Sequence, residues 1–185
     1  MHTKLIIATI ISLVTFTSSS FAKETKSKHK WVGFGTDLGL PEGGAIGLVF
    51  SPNIKYVDWL KFSASYTNNY LTSGGRFGLT LDPINFGIAP TFTSEFGFTD
   101  KFNLSDLMGE KLPSVSYNYI NLQPGLEFGN RNGFRFFIRG GFTYLWANVY
   151  DFGSILNSDQ FIITSPKVNI WLYPSFKLGF QALVF

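Results

Sequence analysis

The sequence predicts an all-β fold, an eight-stranded antiparallel up-and-down barrel, and three observations carry that prediction. The first is composition. Of 185 residues, 45% are hydrophobic, 18% aromatic and only 15% charged, with 19 Gly and 21 Phe. Few charges and many aromatics are the opposite of a disordered chain, and high Gly and Phe argues against a helical bundle. The second is periodicity. Apolar residues alternate with polar or small ones along most of the chain, which gives a strand one oily face and one polar face. The third is the spacing of the connections, which alternate between short and long.

The first segment reads as an address. Lys4 gives a basic start, Leu5 to Phe16 an apolar stretch, and Ser20-Phe21-Ala22 the small residues that a signal peptidase reads. At roughly a dozen residues the stretch is short of the ~20 that a spanning helix needs. Residues 1–22 are therefore assigned to a cleaved signal peptide, 23–30 (KETKSKHK) to a polar lead-in, and 31–185 to the barrel.

Eight strands follow in order. Val32, Phe34, Leu38 and Leu40 oppose Gly33, Gly35, Asp37 and Gly39. Ile46, Leu48 and Phe50 oppose Gly47 and Ser51. Leu60 to Thr67 and Arg76 to Asp82 give the third and fourth strands, with Lys61, Arg76 and Asp82 on the polar side. Ile84 to Phe98 and Ile120 to Phe128 give the fifth and sixth, with Glu95 and Glu127 on the polar side. Phe134 to Trp146 opposes its apolar residues to Arg135 and Arg139. In Val168 to Phe185 every even position is apolar, and Lys177 lies among the odd ones.

Pro52 to Lys55, Asp82 to Ile84 and Gly129 to Asn132 are short turns on one side. Pro41 to Gly43, Asn68 to Gly75, Thr99 to Pro113 and Ala147 to Pro166 fall on the other, the last two long and polar. Short turns on one end and long loops on the other are the asymmetry of a transmembrane barrel. Aromatic residues collect near both ends of the strands. Trp31, Tyr56, Trp59, Phe128, Phe134, Phe180 and Phe185 make one set; Tyr66, Tyr70, Phe96, Tyr117, Tyr119, Tyr144, Trp146, Trp171 and Tyr173 make the other. Such rings suit a boundary between an apolar and a wet phase. Pro90, Pro124 and Pro174 stand on apolar faces of strands, where a missing N–H predicts bulges or bends.

On these residues the chain resembles the small eight-stranded outer-membrane barrels of the OmpA/OmpX type, a transmembrane fold that follows a cleaved signal peptide. The resemblance rests on pattern along the whole of 31–185. Its sharpest element lies in the last strand, where Lys177, Gly179, Ala182 and Val184 match a polar-x-Gly-x-x-apolar-x-apolar assembly signal, with Phe185 one residue beyond it. The resemblance implies residence in the cell outer membrane as a monomer, with lipid, lipopolysaccharide and the barrel-assembly machinery as partners.

Inward positions collect Asp37, Lys61, Arg76, Asp82, Glu95, Glu127, Arg135, Arg139 and Lys177. An eight-stranded barrel is only wide enough for side chains or one small ligand. Opposite charges there should pair, since a buried charge that loses its partner costs about 3–5 kcal/mol. A plug centred on Glu95, Glu127, Arg135 and Arg139 is one expectation; a polar, watered interior is the other.

Other functions find little support. Without Cys, thiol chemistry and Cys-ligated zinc are excluded. The two histidines, His2 and His29, precede the barrel, so no His-based dyad is expected within it. A net charge of +3 is too weak to suggest nucleic acid. The expectation is a non-enzymatic barrel without cofactor or metal, serving a structural or surface-interaction role. The alternatives are a narrow pore or carrier for a small solute or apolar molecule, and a soluble lipocalin-like barrel.

Overall fold

A computed structural model describes residues 30–40, 42–52, 54, 57–69, 71–84, 86–104, 106, 113–150 and 167–185, with the side chains at 86 and 167–172 excepted. Nine strands run β1 (Val32–Leu40), β2 (Gly43–Phe50), β3 (Leu60–Asn68), β4 (Ser73–Leu81), β5 (Phe86–Thr99), β6 (Phe102–Asn103), β7 (Ser114–Asn130), β8 (Phe134–Tyr150) and β9 (Lys167–Leu183). Each barrel strand pairs antiparallel with its neighbours in sequence, β6 aside, and β1 with β9 closes the ring. The result is a closed eight-stranded up-and-down barrel; β6 is a two-residue strand added to the top of β7. Among the described residues no helix is long and apolar enough to cross a membrane. The proposed signal peptide and lead-in, residues 1–29, lie outside the described residues.

The register fixes the tilt. Gly33 pairs with Val49, and the succession of partners Ser63, Gly78, Glu95, Asn121, Thr143 and Tyr173 returns three positions above the Leu40–Phe176 pair. That is a stagger of about ten residues, which tilts the strands by roughly 35–45°. At that tilt and strand number the lumen is narrow enough for side chains from opposite walls to meet.

The strands differ in height. β1 to β4 have 8 or 9 residues, whereas β7, β8 and β9 have 17. The strands begin near the end that holds the described termini, where the Trp31 and Val32 amides donate to the Phe185 carbonyl, and β5 reaches six residues below the Leu81–Phe92 pair that ends β4. The tall strands therefore stand above the rim of β1–β4 at the loop end.

The prolines correct the sequence-based expectation. Pro90 pairs with Leu126 on β7, but on its other side β4 has already ended at Leu81. Pro174 pairs with Phe142 on β8, but β1 stops at Leu40, opposite Phe176. Each sits at a local edge, where an absent N–H leaves no ladder bond unmade. Pro124 faces Phe92 on β5, and on the β8 side the ladder pauses between Leu122–Phe142 and Gly125–Arg139 without changing register. The one register shift in the β8–β9 ladder falls at Thr143/Leu145 instead. The expected bulges at the three prolines are thus two strand overhangs and one skipped rung.

Candidate functional site

Parity sends every described charged side chain of the barrel strands inward. Asp37, Lys61, Arg76, Glu95, Glu127, Arg135, Arg139 and Lys177 are all buried. The alternate positions carry exposed Leu, Ile, Phe, Trp and Tyr all round the outside. Leu38, Leu40, Ile46 and Leu48 are each 64% exposed, and Phe176, Leu178, Ile138 and Leu126 fall between 40% and 47%. This inverts the usual soluble arrangement, in which large apolar patches are rare on the surface.

The interior charges form two layers. In the layer near the short turns, Lys61 Nζ lies 2.6 Å from Asp82 Oδ2 and 2.7 Å from Glu127 Oε2. Arg135 Nη1 reaches Asp82 at 2.6 Å and Glu127 at 3.4 Å, and its other terminal nitrogen donates to the Ile84 carbonyl. Gln181 donates to Glu127 at 2.8 Å. Below them Arg131, from the β7–β8 turn, approaches Asp82 at 3.8 Å and Asp58 at 4.0 Å. Burial lowers the Arg131 pKa from its ordinary value, and the two carboxylates oppose that shift.

The second layer lies towards the loop end. Arg76 Nη1 donates to Asp37 at 3.1 Å, and its Nε sits 3.1 Å from Ser65 Oγ and 3.6 Å from Glu95. Lys177 pairs with Glu95 and lies 3.5 Å from Glu42. Asn121 donates to both Glu42 and Glu95, and accepts from Thr143 at 2.6 Å. Arg139 ties the layers together, reaching Glu127 at 2.7 Å and Glu95 at 3.9 Å, with its guanidinium over the Phe137 ring. Burying charges is costly unless each is paired and hydrogen-bonded. The network meets that condition by sharing carboxylates: Glu127 alone takes three cations and an amide.

Sequence reasoning missed four interior residues. Glu42 and Arg131 come from turns, where no alternation marks an inward side chain. Phe137 and Tyr119 are aromatics on the polar parity; both are buried. Tyr119 was expected in the outer girdle with Tyr117. Its ring instead lies over its cross-strand partner Gly97, where an added Cβ would stand 2.0 Å from the ring. Tyr117 shares that face, and Asn69 donates to its hydroxyl. Glycine is required there because the ring occupies the space above its Cα. Trp31, Trp59, Tyr66, Phe96, Tyr173 and Phe185 are exposed near the strand ends, whereas Tyr56 and Tyr70 and the side chain of Trp171 lie outside the described residues.

The candidate assembly-signal residues divide by parity. Lys177 and Gly179 face the lumen, Ala182 and Val184 follow the outward positions, and Phe185 is exposed at the barrel foot. Among the described residues no group of three or more His, Cys, Asp or Glu side chains is placed to hold a metal ion. No family model matches the chain, and neither a curated protein nor a solved structure matches it.

Proposed function

We propose that this chain is an integral outer-membrane barrel whose ion-paired lumen is closed, serving a structural or surface-interaction role rather than catalysis. The observation that supports it is the separation of charge from oil. All eight charged strand residues named above face in, and the outward positions form a continuous apolar belt. From Pro174 to Val184, at ~3.4 Å per residue and a tilt of ~40°, that belt is about 26 Å tall. A lipid-facing band is ~25 Å. Above it, outward positions turn polar at Asn68, Asn118 and Asn148. A soluble lipocalin-like carrier would need the reverse, an apolar interior and a polar coat.

Lipid then covers the belt, the loops between tall strands face the exterior, and lipopolysaccharide and the barrel-assembly machinery are the partners implied. The test is fractionation with heat-modifiable migration. The mature chain should require detergent for extraction and should shift on a denaturing gel when boiled. A chain that stays in buffer without detergent, with no shift, overturns the reading. In planar bilayers the plugged lumen should give little conductance, and Arg139→Ala should raise it or lower stability; a wild-type barrel with open-pore conductance would favour the narrow pore instead.

A further inference from the structure

One cluster in the layer towards the loop end holds the parts of a reaction. Glu95, Asn121 and Thr143 stand on one rung, successive cross-strand partners on β5, β7 and β8. Lys177 reaches them from β9 and Glu42 from the β1–β2 turn. Gly39 leaves room for both, since a Cβ there would lie 3.1 Å from Glu42 Oε2 and 3.2 Å from Lys177 Cε. None of the five side chains is more than 3% exposed.

The contacts bring an amine, a primary amide and two proton acceptors together. Glu95 Oε2 accepts from Lys177 Nζ and, at 3.1 Å, from Asn121 Nδ2. Glu42 Oε1 accepts from the same Nδ2 and lies 3.5 Å from the same Nζ. The amine and the amide nitrogen are thus held against the same two oxygen atoms. On the other side of the amide, Thr143 Oγ1 donates to Asn121 Oδ1 at 2.6 Å. A donor aimed at a carbonyl oxygen stabilises the negative charge that forms there when the carbon is attacked. Two groups fixed side by side react without the entropic cost of finding one another.

We propose that Lys177 and Asn121 join in an isopeptide bond, a covalent staple from β9 to β7 across β8. Glu42, whose Oε2 has no hydrogen-bond partner, takes one proton from the Lys177 ammonium. The neutral amine attacks Asn121 Cγ, and charge gathers on Oδ1 against the Thr143 hydroxyl. Glu95 Oε2, in contact with both nitrogens, passes a second proton from Nζ to Nδ2. The Cγ–Nδ2 bond breaks and ammonia leaves. The third Nζ proton stays on the new amide, Glu42 keeps the first, and nothing is oxidised or reduced. Once the Lys177 charge is gone, Glu95 still faces Arg76 at 3.6 Å and Arg139 at 3.9 Å. The bond lies in the lumen, and neither it nor its test depends on what the outer face meets.

The test uses the full chain, unfolded in urea and then folded into detergent micelles, with intact mass read before and after folding. The folded chain should be lighter by the mass of one ammonia. A protease digest of it should yield one branched peptide that joins Asn121 to Lys177. Asn132-Gly133 can also lose ammonia, by closing to a succinimide, so Lys177→Arg supplies the control. It keeps a cation for Glu95 but has no amine to attack, and should retain its full mass. Glu42→Gln cannot take the proton and should slow the mass loss by about 10²-fold or more. Full mass in the folded wild type with no branched peptide overturns the bond, as does an equal ammonia loss in Lys177→Arg. An unchanged rate in Glu42→Gln overturns the part given to that carboxylate. If Lys177→Arg does not fold, the wild-type digest decides.

Discussion

The two walls of this barrel do different jobs. The β1–β2 wall presents Gly33, Gly35, Gly39, Ala45, Gly47 and Val49 to the lumen, with Asp37 as the only charge on its strands and Glu42 on the turn between them, and ends at a low rim. The β7–β9 wall presents Tyr119, Asn121, Gln123, Glu127, Arg135, Phe137, Arg139 and Lys177, and stands taller. One wall supplies bulk and the other supplies room. A narrow barrel cannot hold long side chains from every strand, so filling it to normal density needs small residues opposite large ones. The long charged side chains reach into the room that the small ones leave, as Lys177 on β9 does towards Glu42.

The largest test of that division is Glu127, the most shared acceptor on the bulky wall. Glu127→Ala takes one carboxylate from Lys61, Arg135 and Arg139 together, leaving Lys61 and Arg135 to share Asp82, and should lower stability by about 3–5 kcal/mol. Urea unfolding of the barrel in micelles measures it. An unchanged midpoint would mean that waters, not carboxylates, hold these cations.

On the outside the two walls should be equivalent. Ile46→Arg on β2 and Leu178→Arg on β9 place a charge at similar height on the two strands that flank β1. Each should cost about 2–4 kcal/mol in a bilayer, while Leu40→Arg at the rim should cost about 0–1 kcal/mol. Equal, negligible costs at all three positions would remove lipid from the outer face. A large cost on one flank alone would point to a protein neighbour on that side.

Most of the inner and outer assignment was legible from parity alone, because a strand alternates faces with period two and this chain keeps charge off its apolar parity. Asp37, Lys61, Arg76, Glu95, Glu127, Arg135, Arg139 and Lys177 could be placed on one face from that pattern. The partners could not. Lys61 and Glu127 are 66 residues apart, and their contact depends on barrel closure and stagger, which no local pattern encodes. Glu42 and Arg131 enter from turns, beyond the reach of any alternation. Tyr119 looked like a boundary aromatic because ring chemistry is the same inside and out; what places it inside is Gly97 on the neighbouring strand.

Close approach also separates single glycines, one from each wall. A Cβ at Gly47 would stand 2.3 Å from the Ala64 carbonyl oxygen and 2.5 Å from the Ser65 Cα. Gly47→Val must push β2 away from β3 and should cost about 1–3 kcal/mol. Gly140, on the bulky wall opposite the skipped rung at Pro124, meets nothing nearer than the Ser175 carbonyl oxygen at 3.9 Å. Gly140→Ala should stay within about 0.5 kcal/mol of wild type. Thermal midpoints of the two variants, taken in the same detergent, compare crowding at the two sites directly.

The smallest effects are expected where one strand overhangs its neighbour. At the loop end β9 runs on past the end of β1, and Pro174 lies in that overhang; at the turn end β5 reaches below the end of β4, and Pro90 lies in that one. A proline interrupts a sheet by withholding an N–H, and here no strand waits on the open side to receive one. Pro90→Ala and Pro174→Ala should therefore each change stability by no more than about 0.5 kcal/mol. Ile138 supplies the contrast, since it pairs with Leu126 on one side and Leu178 on the other. Ile138→Pro withholds its N–H from a ladder closed on both sides, and should destabilise by at least ~3 kcal/mol if the loss matches that in a helix interior. Hydrogen exchange of the neighbouring amides would locate the damage: confined to the β8 ladder for Ile138→Pro, and absent at the overhangs. Should Pro174→Ala prove as damaging as Ile138→Pro, the uneven height of the two walls could not be what lets the sheet carry its prolines.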